Sequence, residues 1–104
     1  MGTLLPNFIV GIGGSAGALN AYKAFLGALP SNTGMAFVVV SHIHHTADSQ
    51  LALLLSSHTK MPVVVASAGE PIRANYVYVV PPNTDLLIER YAFRIGSPRT
   101  RSNK

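Results

Sequence analysis

The chain has 104 residues, of which 48% are hydrophobic, and it contains no cysteine. That length suffices for one domain with a modest core, and the absence of cysteine excludes disulfides and thiolate chemistry. No apolar run approaches the roughly 20 residues that span a bilayer, and no charged segment precedes an apolar one at the N-terminus. We therefore expect a soluble, cytoplasmic domain without membrane insertion.

The formal net charge is +4, with five of the eight basic residues near the C-terminus. Three of these five lie in a tail, from about residue 96, that is rich in Ser, Pro and Asn. A short basic terminus without interleaved aromatic residues is typical of a solvated tail rather than a nucleic-acid surface. We expect no nucleic-acid partner.

Three apolar runs without polar alternation predict parallel strands that are covered on both faces. They span residues 8–10, 36–40 and 63–66. Two helical patterns lie between them, one over residues 18–29 and one over residues 48–58. The order β-α-β-α-β predicts a doubly wound, mainly parallel α/β sheet in three layers, with right-handed crossovers.

After Gly69 the sequence changes to short apolar runs separated by turn residues. Residues 76–80 and 86–88 flank Pro81-Pro82-Asn83-Thr84, and a further short apolar run covers residues 91–93. Apolar runs on either side of turn residues predict an antiparallel hairpin or small meander. We expect this hairpin to be appended to the parallel core.

The first predicted strand leads into Gly13-Gly14-Ser15-Ala16-Gly17, which precedes the first helix. A serine between glycines on a strand-to-helix turn is typical of an exposed nucleophilic hydroxyl. The glycines would supply backbone angles and a close approach that a Cβ hinders, and the helix N–H groups could hold an oxyanion. The pattern favours ester hydrolysis with Ser15 as the nucleophile.

Two alternatives compete for this motif. Ser15 could be only the N-cap of the helix that follows, although the Glu or Gln of a capping box is absent. Gly11, Gly13 and Ala16 also fit the dinucleotide-binding fingerprint. The next strand, however, ends at Ser41-His42 without the acidic residue that would bind a ribose hydroxyl.

His42 directly follows the second predicted strand, at the sheet edge where the turn with Ser15 is expected. A serine hydroxyl needs a neutral imidazole to accept its proton, and His42 is the candidate base. The cluster also contains His44 and His45, but no carboxylate or cysteine accompanies them at a recognised ligand spacing. We expect no metal and no cofactor, and we interpret His58 as a structural residue on a helical apolar face.

The third member of a catalytic triad is not evident. The acidic residues are Asp48, Glu70, Asp85 and Glu89. Asp48 suits a helix cap, and the other three lie in or near the predicted hairpin. None of them is a convincing partner for His42.

The order of these motifs resembles the catalytic domain of the chemotaxis protein-glutamate methylesterase family, the effector part of a two-component response regulator. The resemblance rests on residues 9–17, 38–43, 58–64, 69–72 and 76–82, and it extends from residue 8 to about 95. It implies a doubly wound parallel sheet with a hairpin. It further implies that Ser15 and His42 act as nucleophile and base on glutamyl methyl esters of chemoreceptors, releasing methanol.

The resemblance covers only the N-terminal half of the family's domain, so residues 1–104 are expected to form a partial domain. The family usually has glycine at the position of Ala18 and prolines at those of His44 and His45. Its triad aspartate lies in a Gly-rich segment that would fall beyond Lys104, and its receiver domain would precede Met1. A non-catalytic binding or regulatory module on the same fold remains the alternative. Incomplete cover of the sheet predicts a homo-oligomer.

Overall fold

A computed structural model of the chain describes residues 5–14, 18–41, 48–80 and 85–96. The strands are β1 (Ile9–Gly14), β2 (Ala36–Ser41), β3 (Val63–Val65), β4 (Val77–Val80), β5 (Asp85–Glu89) and β6 (Ala92–Gly96), and the helices are α1 (Leu19–Ala28) and α2 (Asp48–Ser56). None of the helices in these ranges is long and apolar enough to cross a membrane.

Strands β1 to β4 form one parallel sheet in the order β1-β2-β4-β3, and β5 and β6 form a separate antiparallel pair. Valine-rich runs form the two inner strands because alternate side chains can be buried on opposite faces of a covered sheet. All four residues of β4 are buried. The predicted α/β class, with a mainly parallel sheet and an added hairpin, is confirmed.

The direction of each crossover explains which face it covers. The chain moves the same way across the sheet from β1 to β2 and from β2 to β3, so right-handed crossovers place both helices on one face. The connection from β3 back to β4 runs the other way and covers the opposite face. The described segments thus form three layers, with the helices on one side of the sheet and the hairpin on the other.

Two apolar clusters fill the spaces between these layers. On the helix side, residues of both helices pack against the sheet; they include Tyr22, Leu26, Leu51, Leu55, Phe37, Val39, Val77 and Val79. On the other side, the β3–β4 connection and β6 pack against the sheet; this cluster includes Val38, Tyr78, Val80, Ala66, Ile72 and Phe93. Strand β1 is less covered than the inner strands, as the exposure of Gly11 and Gly13 shows.

The hairpin differs from its predicted strand pairing. Residues 76–80 do not pair with residues 86–88, because β4 lies between β2 and β3 in the parallel sheet. The hairpin is formed by β5 and β6, with Glu89 opposite Ala92. Arg90 and Tyr91 make the turn, both with positive φ (52° and 60°), as a type I′ turn requires.

Main-chain hydrogen bonds attach this hairpin to the connection between β3 and β4. The Ile72 N–H donates to Tyr91 O at 2.7 Å, and the Phe93 N–H donates to Glu70 O at 3.0 Å. The Phe93 ring is buried and meets the Tyr78 ring edge-on, with centroids 5.0 Å apart. The hairpin is therefore the outer cover of the second face.

Both predicted helices are present, but their ends and their buried side chains differ from the prediction. In α1 the buried side chains are Tyr22 and Leu26, whereas Phe25 is 40% exposed. Helix α2 ends at Ser56, so the assignment of His58 to a helical apolar face is wrong. His58 is exposed in the turn after α2, where its N–H donates to Leu55 O at 2.9 Å.

Candidate functional site

The candidate site is the edge of the sheet at which β1 and β2 end. The two strands are parallel neighbours, and their last residues, Gly14 and Ser41, are register partners. Ser15 follows Gly14 in the chain and His42 follows Ser41. Both candidate catalytic residues lie outside the described residues, as do His44 and His45. What the structure defines is the pair of strand ends that carry Ser15 and His42.

Two glycines of the motif, Gly13 and Gly14, do not supply the backbone angles that the motif suggested. Gly11, Gly13 and Gly14 lie within β1, and among the described glycines only Gly34 and Gly69 have positive φ. The expectation of special backbone angles is therefore wrong for Gly13 and Gly14, while Gly17, the third glycine of the motif, lies outside the described residues. Gly11 and Gly13 also lie inside an extended strand, whereas the dinucleotide-binding fingerprint needs them at the turn.

Gly14 is required for close packing rather than for its backbone angles. A Cβ built on Gly14 would lie 2.6 Å from the Ala18 Cβ and 3.1 Å from the Tyr22 Oη. Real Cβ atoms do not tolerate the first of these distances. At Gly11, by contrast, an added Cβ would meet nothing within 4 Å. The end of β1 therefore lies directly against the start of α1, a contact that the sequence pattern did not reveal.

The first turn of α1 has no side-chain cap and no acidic residue among the described residues. The N-cap residue is Ala18, which makes no side-chain capping hydrogen bond, and the first turn contains no acidic residue. The alternative in which Ser15 caps the helix stays a prediction, because Ser15 lies outside the described residues and Ala18 already has helical backbone angles. Free N–H groups and the positive end of a helix favour a negative charge nearby.

Two of the four acidic side chains are bound elsewhere. Glu70 Oε1 accepts hydrogen bonds from the backbone N–H and the hydroxyl of Ser67, at 3.0 and 3.2 Å. Glu89 pairs with Arg94 at 2.7 Å on the exposed side of the hairpin. The side chains of Asp48 and Asp85 are outside the described part. Glu70 and Glu89 are thus both engaged in local contacts.

Within the part of the chain that is described, no group of three potential metal ligands comes together. The side chains of His42, His44 and His45 are outside that part, so the structure does not bear on the expectation of a metal-free histidine cluster. The described residues at and beside the two strand ends include Gly14, Ser41, Ala18 and Tyr22. None of these four residues carries a charged side chain.

Fold and site together define an open α/β domain in which the residues suited to nucleophilic catalysis directly follow two neighbouring parallel strands. The sequence profile of the CheB methylesterase family matches residues 10–104. The chain therefore belongs to the CheB methylesterase family.

Individual relatives agree with this assignment. A protein of Leptospira interrogans described as a protein-glutamate methylesterase/protein-glutamine glutaminase is 39% identical over 88 residues, covering 82% of this chain and 46% of the relative. Protein-glutamate methylesterase/protein-glutamine glutaminase 1 of Cupriavidus pinatubonensis is 38% identical over 85 residues, covering 82% of this chain and 25% of the relative. The chain thus spans half of these relatives or less.

The same relation holds for a solved structure. The crystal structure of the Thermotoga maritima CheB methylesterase catalytic domain superposes with a TM-score of 0.70 at 26% sequence identity. The match covers 88% of this chain and 49% of that domain. The fold described above is therefore shared with about half of a CheB catalytic domain.

Proposed function

We propose that this chain supplies the nucleophile and the general base of a carboxylic ester hydrolase that removes methyl groups from glutamyl esters of chemoreceptors. Ser15 is the nucleophile and His42 is the base. The observation that carries the proposal is the register pairing of Gly14 with Ser41, since each candidate residue is the next one in the chain.

Chain connectivity limits how far apart the two residues can lie. Neighbouring strands are about 4.8 Å apart, and consecutive Cα atoms are about 3.8 Å apart. The Cα atoms of Ser15 and His42 are therefore within about 12 Å of each other, even if the chain diverges fully after each strand. Side chains directed toward one another across that gap can approach hydrogen-bonding distance, directly or through one water.

The reaction follows the chemistry of a serine esterase. The Ser15 hydroxyl attacks the ester carbonyl carbon as His42 accepts its proton, and a tetrahedral oxyanion forms. N–H groups near the start of α1 stabilise that charge. Collapse of the intermediate expels methanol, which takes the proton from the imidazolium. Water, deprotonated by His42, then attacks the acyl-enzyme; the Ser15 oxygen leaves with the proton of the imidazolium, and the receptor is released with a free glutamyl carboxylate.

Among the described side chains we assign no carboxylate to orient the imidazole, since Glu70 and Glu89 are bound to Ser67 and Arg94. Loss of the triad acid lowers the rate of a serine protease about 10⁴-fold. We therefore expect weak ester hydrolysis from residues 1–104 alone. Activity equal to that of a longer family member would show that Asp48, Asp85 or a second chain supplies the acid.

The test is methanol release from a methylated chemoreceptor. Ser15→Ala should abolish release, and His42→Gln should lower it about 100-fold further, because losses of triad members are not additive. The matched controls are Ser31→Ala and His58→Gln, because both residues are exposed and lie beyond the C-terminal ends of the helices, away from the β1 and β2 ends. Both controls should retain the parent rate.

A serine-directed fluorophosphonate offers an independent measurement. Mass spectrometry should find the adduct on Ser15 in the parent and in His58→Gln. Methanol release that persists in Ser15→Ala would overturn the proposed nucleophile. A parent chain that binds the receptor but releases no methanol and forms no adduct would favour the non-catalytic binding module.

A further inference from the structure

We infer that Tyr22 is a positioning residue for the nucleophile turn, and that it acts with Ala18 by holding the end of β1 against α1. The three residues Gly14, Ala18 and Tyr22 are called the clamp below. This inference rests on the proposed role of Ser15, because the clamp joins the two described ends of the segment that contains it.

The distances define the contact. A Cα–Cβ bond is about 1.5 Å long, and a Cβ on Gly14 would come within 2.6 Å of the Ala18 Cβ. The Gly14 Cα is therefore about 4 Å or less from the Ala18 Cβ, which is van der Waals contact. Only residues 15–17 separate the two. The segment that carries Ser15 thus leaves one surface and returns to the same surface within three residues.

Tyr22 forms the second half of the clamp. It lies four residues after Ala18, so both side chains lie on the same face of α1. Its side chain is 2% exposed and belongs to the apolar cluster on the helix side of the sheet. The atom nearest to the Gly14 position is its hydroxyl oxygen, at 3.1 Å from the added Cβ, compared with 3.7 Å for Cζ. Phenylalanine would fill the core equally well but would leave a gap beside Gly14.

This arrangement fixes the end points of the turn. Buried side chains of a packed core have little freedom to move. The contacts with Tyr22 and Ala18 therefore fix the position of Gly14 relative to α1. A three-residue segment with both ends held has few conformations open to it. Misplacement of a reacting group by about 1 Å can lower a rate about 100-fold. The clamp should therefore affect how fast Ser15 reacts rather than how tightly a ligand binds.

The test measures the modification of Ser15 by a fluorophosphonate in four variants, with thermal unfolding followed in parallel. Gly14→Ala should slow the maximal modification rate about 100-fold and leave the half-saturating probe concentration nearly unchanged. Gly14→Ala combined with Ala18→Gly removes the 2.6 Å conflict and should recover most of the rate. Gly11→Ala is the matched control, because its Cβ meets nothing within 4 Å, and it should react like the parent.

Tyr22→Phe keeps the test decisive if Gly14→Ala fails to fold. It should fold, and it should slow the maximal rate about tenfold by loosening the contact with Gly14. Amide hydrogen exchange over residues 14–19 should also become faster in Tyr22→Phe, with exchange in β4 unchanged. This second measurement does not depend on the chemistry of Ser15.

The two proposals fail in different ways. A folded parent that forms no adduct at Ser15 would contradict the proposed nucleophile, while faster exchange in Tyr22→Phe would still support the clamp. If Tyr22→Phe matches the parent both in modification rate and in exchange over residues 14–19, the clamp is overturned. A reacting parent would then leave the proposed function intact.

Discussion

The side chain of Tyr78 connects β4 to the segment that covers the second face of the sheet, and its hydroxyl can be removed without changing the packed ring. The hydroxyl accepts a hydrogen bond from the Arg73 N–H at 2.9 Å and donates one to Pro71 O at 3.3 Å. The ring is fully buried, stacked on Tyr76 and in edge contact with Phe93. Tyr78→Phe therefore tests the two hydrogen bonds alone.

The expected loss follows from these contacts. Each hydrogen bond contributes about 1 kcal/mol net, so Tyr78→Phe should lower the free energy of unfolding by about 2 kcal/mol. In a domain of this size, that corresponds to a melting temperature roughly 10 °C lower. Urea unfolding followed by circular dichroism measures the change. The control is Tyr91→Phe, since Tyr91 is 45% exposed, and it should stay within about 0.5 kcal/mol of the parent.

The pH dependence provides a second check. Burial raises the pKa of Tyr78 above the ordinary tyrosine value of 10.0. In the unfolded chain the phenol ionises first, so the stability that neutral Tyr78 contributes is complete below about pH 10 and is lost as the pH rises through the folded-state pKa. The difference between parent and Tyr78→Phe should therefore shrink above about pH 10. A constant difference across that range, or one below about 0.5 kcal/mol at neutral pH, would refute the account of Tyr78.

Three further outcomes are expected. Replacing Arg90 with Asn and Tyr91 with Gly should raise the free energy of unfolding by about 1 kcal/mol in urea, because both positions have positive φ and Asn-Gly suits a type I′ turn. Phe93→Ala should cost about 3 to 5 kcal/mol and speed amide exchange in β5 and β6, and normal protection there would contradict the docking role of this ring. The chain should self-associate in light scattering, and Gly11→Lys should shift it toward monomer, because a charge on an under-covered outer strand opposes pairing; a stable parent monomer at high concentration would refute this.

Sequence patterns predicted the parallel sheet because its physical causes are local. The valine runs of β2 and β3 are typical of strands covered on both faces of a sheet. The apolar spacing of α1 and α2 is typical of helices that pack on one face. Consecutive strands of a β-α-β unit are usually neighbours in the sheet, which makes β1 and β2 partners. The adjacency of the strands that lead to Ser15 and His42 was therefore predictable without coordinates.

The hairpin was assigned to the wrong strands for an equally physical reason. The Pro81-Pro82-Asn83-Thr84 stretch has strong turn chemistry, whereas the true turn uses Arg90 and Tyr91, which carry no Gly or Asn signal. The unbroken apolar character of Val77–Val80 was the better guide, because it matches a strand buried on both faces. Pairing partners are set by tertiary packing, and local turn signals do not identify them.

The clamp lies beyond sequence reasoning because it depends on how closely two elements approach. Gly11, Gly13 and Gly14 are chemically identical, yet an added Cβ finds open space at the first, an ordinary contact at the second and a conflict at the third. Alternation along the strand accounts for part of the difference, because Gly14 faces α1 whereas Gly11 and Gly13 face the other side of the sheet. The 2.6 Å conflict at Gly14 also requires α1 to approach the end of β1 closely, and the glycine pattern does not encode that approach.

Strand β1 combines a functional position with weak cover. It leads to the proposed nucleophile, yet it is an outer strand of the described sheet and exposes Gly11 and Gly13 on the face opposite the helices. It is held by the ladder to β2 on one edge, by packing of Val10 and Ile12 on the helix side and Ile9 on the other side, and, at its end, by the contact of Gly14 with α1. A strand paired on both edges would hold its end even if one contact were lost. In β1 the contact with α1 therefore contributes more to holding the strand end in place. The clamp should affect the position of the strand end most when no further segment covers β1.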